Sequence, residues 1–379
     1  MFAQRSPTWK WVTIAALASV ALLLLPHHLS WLSAPLGVRQ HGEGRTDGSW
    51  VKAPAIMPWN YTSALVMART KTADVRWVEE EKLEMDKYIY VADDPTAPLH
   101  VPANKGNEAM VYLTYIIDHY DSLRDFTVFV HAHRWSGHNN PFLGDDAVEM
   151  LRHLNAERIM RDGYMNLRCS SGPGCPSWVH PKEQSGDLLA PIILKEWDNL
   201  FPGEPVAEVL AQACCAQFAV TREQIQSVPL AKYQHWRNWL LETEVSDFFS
   251  GRVFEYLWQV LFLGENVFCP DPAVCFCDGF GVCFEGPEKL EEWHRLGDQQ
   301  WTAGARMDML KSLKADHENA PGEYLGRIDQ WYEELQVESD RYGKQRENIT
   351  VIARQRGQDP KVRAEAASSR NNASPNRRW

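Results

Sequence analysis

The first long apolar stretch of the chain is Trp11 to Leu25 (WVTIAALASVALLLL), followed by Pro26, His27 and His28 and a second charge-free stretch from Leu29 to Leu36. From residue 63 the pattern changes to short apolar runs alternating with amphipathic ones. Ser63 to Thr70 (SALVMART) is apolar and closes on polar residues, which predicts a strand. Ala73 to Met85 places Val75, Trp77, Val78 and Leu83 among charges and predicts a helix. Lys87 to Ala92 (KYIYVA) predicts a second strand, ending at Asp93-Asp94-Pro95. Ala109, Tyr112, Leu113, Ile116 and Ile117 recur at helical spacing. Asp125 to Val130 (DFTVFV) predicts a third strand that runs into His131-Ala132-His133. Strand, helix, strand, helix, strand with short links predicts parallel pairing. The expected class is α/β, a mostly parallel twisted sheet of Rossmann-like type flanked by helices.

Further on, Gln217 to Val220 predicts a short strand. Tyr233 to Leu241 and Val253 to Phe262 predict buried aromatic helices, and residues 286–345 are charged and helical in composition. The expected organisation is a cytosolic tail (1–10), a signal anchor (11–32), a stem (33–62), an α/β lumenal domain (63–285), a helical extension (286–349) and a disordered tail (350–379). Arg5 and Lys10 precede the anchor and the next basic residue is Arg39, so the N-terminus is expected in the cytosol and the bulk in the lumen. The apolar run is short for a span, so a cleaved signal peptide is the alternative; Pro35 after Ser33-Ala34 disfavours cleavage there. A membrane of the secretory pathway (Golgi or ER) is the expected location, with secretion or the cell surface as the alternative.

Sequons at Asn60-Tyr61-Thr62 and Asn348-Ile349-Thr350 fit that location, and Asn372-Ala373-Ser374 is weakened by Pro375. All eight cysteines lie between Cys169 and Cys283 without the paired C-x2-C knuckles of a zinc ribbon, which predicts disulfides. Adjacent Cys214 and Cys215 are expected to bond to different partners. A net charge of −11 argues against bulk nucleic-acid binding.

Ligands of open α/β sheets bind at the carboxyl ends of the strands. That places Arg69/Thr70, Asp93/Asp94 and His131/His133 at the expected site. His131, His133 and His138 form H-x-H-x4-H. Imidazoles two apart on a strand share a face, and they suit Zn or Mn ligation or acid–base work; loop histidines bonded to neighbours are the plainer reading. Asp93-Asp94 either contacts a nucleotide or sugar hydroxyl or forms a turn before Pro95. Asn104-Lys105-Gly106 before a helix either binds phosphate or supplies a cap. Glu255 is either a general base or the partner of Arg252 in an ion pair.

The stretches ALVMARTKTADVRWVEEE, KYIYVADD, NKGNEAMVYLTYIIDHYDSLRDFTVFVHAHRWSGHNN, GYMNLRCSSGPGCP, CCAQFAVTREQI and GRVFEYLWQVLF, in order from about Ser63 to Gly264, resemble a fungal family known as domain of unknown function 3431. More loosely, the layout is similar to glycosyltransferases of the GT-A type, with His131-Ala132-His133 standing where those enzymes carry Asp-x-Asp. Gln217, Phe218, Arg222 and Glu223 resemble their acceptor-side strand. That likeness implies sugar transfer from a nucleotide donor to a glycan or lipid, with C-terminal helices beside the sheet. Arg69, Asp93, Asp94, Asn104 and Lys105 would hold the nucleotide sugar; His131 and His133, with Glu255, would be catalytic; His131, His133 and His138 would hold Mn or Zn. A metal-dependent enzyme of another class that tailors a secondary metabolite, or a non-enzymatic membrane-anchored protein, are the alternatives, and a small molecule is the alternative acceptor.

Overall fold

The computed structural model describes residues 59–183 and 187–368. The expected anchor lies outside them, and no helix among the described residues is long and apolar enough to cross a membrane. Strand β1 (Ser63–Arg69) leads through α1 (Trp77–Glu80) to β2 (Asp86–Val91), α2 (Glu108–His119) and β3 (Phe126–His131). Next come α3 (Ala147–Arg152), α4 (Ala156–Asp162), β4 (Tyr164–Asn166), α5 (Ala190–Leu200), β5 (Ala211–Gln212) and β6 (Phe218–Thr221). Helices α6 (Arg222–Gln226), α7 (Leu230–Glu242), α8 (Asp247–Glu255) and α9 (Trp258–Leu263) then precede β7 (Val267–Phe268) and α10 (Pro272–Phe280). The chain closes with α11 (Pro287–Asp316), α12 (Gly322–Arg356) and α13 (Pro360–Ser368).

The main sheet has the order β2-β1-β3-β6-β4. Strands β1, β2 and β3 pair in parallel, as their continuous apolar runs predict. Strand β6 enters antiparallel between β3 and β4, so four strands share one direction and β6 opposes them. Strand alternation sorts the core into two layers. Ala64, Val66, Phe129, Phe218 and Tyr164 pack under α2, α7 and α9 on one face. Leu65, Met67, Val128, Val130 and Ala219 pack with Trp77, Phe142 and α10 on the other.

Helix α2 begins in a crowded place. A Cβ on Gly251 of α8 would lie 2.5 Å from Asn107 Nδ2 and 2.9 Å from Gly106 O. The bare Cα of Gly251 therefore lets α8 rest on the start of α2, and Glu255, one turn later, shares that face.

The expected helix over 253–262 is two, α8 and α9, separated at Tyr256 and Leu257. Residues 350–356 and 360–368, read above as part of a disordered tail, are helical. Thr350 and Ala353 are buried, and Thr350 Oγ1 accepts a 3.1 Å bond from Trp293 Nε1, so packing against α11 carries α12 onward.

The eight cysteines form four disulfides: Cys169–Cys275, Cys175–Cys269, Cys277–Cys283 and Cys214–Cys215. The last corrects the expectation that the adjacent pair has separate partners; the other six satisfy one another. The first two close loops of 106 and 94 residues. On chain-entropy grounds each disfavours the unfolded state by about 4–5 kcal/mol.

Gly251→Ala should destabilise the protein by about 1–3 kcal/mol through overpacking of α8 on α2. Urea unfolding measures it; an unchanged midpoint would show that the two helices part without cost.

Candidate active site at the carboxyl edge of the sheet

Strand β3 ends with its backbone clamped. His131 N donates to Gln217 Oε1 (3.0 Å), and Gln217 Nε2 donates to His138 O (2.9 Å) and Asn139 Oδ1 (3.0 Å). Gln217 is buried, so these bonds fold the 132–139 loop back over the strand end. The rings of His131 and His138 come within 5.1 Å of each other, centroid to centroid.

On the face of His131 lies the turn that enters β6. Residues 215 and 216 take positive φ, 108° and 52°. His131 Nε2 is 2.6 Å from the Cys215 carbonyl oxygen, and as an N–H it donates to it. The Cys215 main-chain N–H faces the carboxylate of Glu255. Asn166 at the end of β4 donates to Ala213 O (2.7 Å) and accepts from Arg168 N (3.0 Å). Arg168 then lays Nη1 against both sulfurs of the Cys214–Cys215 disulfide, at 2.8 and 2.9 Å.

The titrating groups here share one environment. Burial, helped by the nearby negative charge of Glu108, pushes Glu255 up to about 7 against the pull of Arg252 and Arg168. Burial likewise raises Glu108, in the first turn of α2, to about 7. Burial lowers His131. Loss of solvent around its ring, His131 and Arg168 together push His138 down to about 4. Near neutral pH the site holds two uncharged imidazoles, two carboxyls poised to gain or lose a proton, and one guanidinium. That set can take a proton from a hydroxyl and return one to a leaving group.

Five positions expected to hold a nucleotide sugar do other work or stand apart. Arg69 lies in register next to Ala68, the partner of His131, so alternation turns it to the opposite face; its Nη1 donates to Ala73 O (3.2 Å). Asp93 accepts from Lys71 N (2.8 Å). Asp94 accepts from the amide and hydroxyl of Thr96 (3.0 and 2.6 Å), the turn chemistry of an Asp before Pro. Both follow β2, two strands from β3, or about 10 Å at ordinary sheet spacing. Lys105 donates to Thr243 O near the end of α7, and Asn104 is exposed in the bend before α2.

His133 is exposed past the end of β3. The three histidines do not close around one point: among the described residues the ligand-like trio within 4.8 Å is Cys214, Cys215 and Glu255, and its two sulfurs are bonded to each other. Arg252 stacks its guanidinium 3.9 Å over the Phe248 ring and acts on Glu255 through space, which leaves Glu255 outside a direct Arg252 ion pair.

Arg168 and Glu108 were not singled out from sequence, and Cys214 and Cys215 were expected to bond elsewhere rather than to each other. Glu108 carried the one available signal, a carboxylate opening an otherwise apolar helix face.

Residues 65–278 match the family model described as "Protein of unknown function (DUF3431)". No match was found among curated proteins or solved structures.

The raised carboxyls carry a pH signature. A folded state that holds Glu255 and Glu108 near 7 keeps protons that the unfolded chain releases near 4.5, so these groups cost stability as pH rises from about 4.5 to 7, and the full cost stands above 7. Glu255→Gln cannot ionise. It should match the wild type at pH 4 and exceed it by up to about 3 kcal/mol at pH 8 in urea melts. A variant less stable than wild type at pH 8 would contradict this environment.

Proposed function

Because the chain belongs to the family described as proteins of unknown function, DUF3431, no inherited activity guides the assignment, and we propose from its own site that it is a glycosyl-transferring enzyme of the secretory lumen. The acceptor is a hydroxyl-bearing glycan, lipid or small molecule, and the donor a nucleotide sugar. Glu255 takes the acceptor proton; His131 and His138 hydrogen-bond the sugar or the leaving group.

One observation carries the reading: Glu255, Arg168, His131 and His138, from three separate chain segments, meet at the carboxyl edge of a mostly parallel sheet. Ligands of such sheets bind at that edge. A base whose proton affinity lies near neutrality suits deprotonation of a hydroxyl. Four disulfides with no free cysteine among the described residues support an oxidising compartment. The GT-A likeness supports the choice of sugar transfer at the level of strand and helix order alone. A catalytic Mn or Zn held by His131, His133 and His138 would need those rings to close on one cation, and the reaction is not routed through one.

The test is transfer from a panel of radiolabelled nucleotide sugars, with and without added Mn, using the purified chain. At least one donor should turn over, and Glu255→Gln should lower kcat by about 100-fold or more with KM for the donor little changed. Silence with every common donor sinks the proposal; full activity in Glu255→Gln removes Glu255 from the base role.

A further inference from the structure

Arg168 is a half-buried cation without a counter-ion. Several partly or fully buried arginines are paired: Arg134 meets Glu81 (2.8 Å) and Asp146 (3.1 Å), Arg152 meets Glu81 (2.7 Å), and Arg158 meets Asp162 (3.4 Å), whereas Arg69, Arg252 and Arg346 rest on a carbonyl, a carboxamide or an aromatic ring. Arg168 bonds to the sulfurs of Cys214 and Cys215 and, through its main-chain N, to Asn166 Oδ1. Among the described residues no carboxylate lies within ion-pair distance; Asp145 and Glu255 act on it through space alone.

Disulfide sulfur is neutral and a weak acceptor. A guanidinium has five N–H donors in a planar fork suited to two oxygens of one anion. Withdrawing such a group from water without a partner is costly. The disulfide holds Nη1 from one side, Cys214 and Cys215 are themselves buried, and His138 lies close enough to feel the charge, so the other donors of the fork are left for a ligand.

We infer that Arg168, with His138 beside it, is an oxyanion subsite that takes a phosphoryl or carboxylate group of the substrate. It supplies the cation that Arg69 and Lys105, spent on main-chain carbonyls, do not. The inference rests on the reading of this edge as the active site and deepens it: the diphosphate of a nucleotide donor, or the carboxylate of an acidic sugar, sits on Arg168.

Calorimetry of the full chain with inorganic pyrophosphate and, separately, glucuronate tests it. At least one anion should bind, more weakly at higher salt, and Arg168→Gln should weaken it tenfold or more while Arg168→Lys retains part of the affinity. Pyrophosphate alone binding assigns a phosphoryl group, and glucuronate alone a carboxylate. Equal binding to Arg168→Gln, or no binding of either anion to the wild type, overturns the subsite. Should Arg168→Gln fail to fold, phenylglyoxal labelling of the wild type read by mass spectrometry replaces it: the binding anion should protect Arg168, and unprotected labelling overturns the proposal. Anion binding lost in Arg168→Gln with no sugar transfer from any donor would sink the transferase reading and leave this one standing. Transfer by Arg168→Gln with the wild-type KM would do the reverse.

Discussion

Everything at the carboxyl edge depends on the carboxamide of Gln217. It is buried, and it satisfies three polar groups at once: the amide of His131, the carbonyl of His138 and the side chain of Asn139. In a low-dielectric setting each of these would be expensive to leave unbonded. The bonds join three features that the strand ladder alone does not: the last residue of β3, the loop that leaves it, and the residue before β6. Because β6 runs antiparallel to β3, its start lies beside the end of β3. A parallel β6 would have put its first residues at the other end of the sheet, and the Cys214–Cys215 turn would not face His131.

The disulfides divide by what they can accomplish. Two of them, Cys169–Cys275 and Cys175–Cys269, tie segments about a hundred residues apart and so limit the unfolded ensemble. Cys277–Cys283 fastens the turn after α10, where Cys283 N also donates to Ala353 O of α12. Cys214–Cys215 has a sequence separation of 1 and closes no loop of chain, so that entropy argument gives it nothing. Its consequence is local. It sits in the positive-φ turn that directs the Cys215 carbonyl to His131 and its N–H to Glu255, and it offers Arg168 a surface without charge.

The strands and helices that could be read in advance were those with enough length to show a period. Strands β1 and β3 are buried on both faces and appear as unbroken apolar runs, and the edge strand β2 shows its apolar half from Tyr88 to Val91; α2 shows its stripe plainly. Strand β4 has three residues and β5 and β7 two each, too few to carry a pattern. The break between α8 and α9 is equally silent, since apolar residues continue through Tyr256 and Leu257. At the candidate site, His131 and Glu255 drew notice in the sequence because each ends or closes a buried element. Arg69, Asp93 and Asp94 lie toward the same sheet edge but apart from His131, because strand parity turns Arg69 away, Asp93 accepts from Lys71 N, and Asp94 closes the turn at Pro95. Arg168 follows a strand too short to announce itself, and the partnership of Cys214 with Cys215 lies in main-chain geometry.

The remaining question is how a carboxyl and a guanidinium can share a half-buried site without cancelling each other. A full ion pair between Glu255 and Arg168 would neutralise both and leave neither a base nor an anion anchor. Two features oppose it. Burial is the main reason that Glu255 keeps its proton up to near neutrality, and Gly251 adds to it by letting α8 approach the start of α2 so closely that Glu108 and Glu255 feel each other. Arg168 meanwhile is held by sulfur, not by oxygen. Burial and the close contact of two helices, permitted by one glycine, thus keep a cation and a proton acceptor separately available within one edge of the sheet.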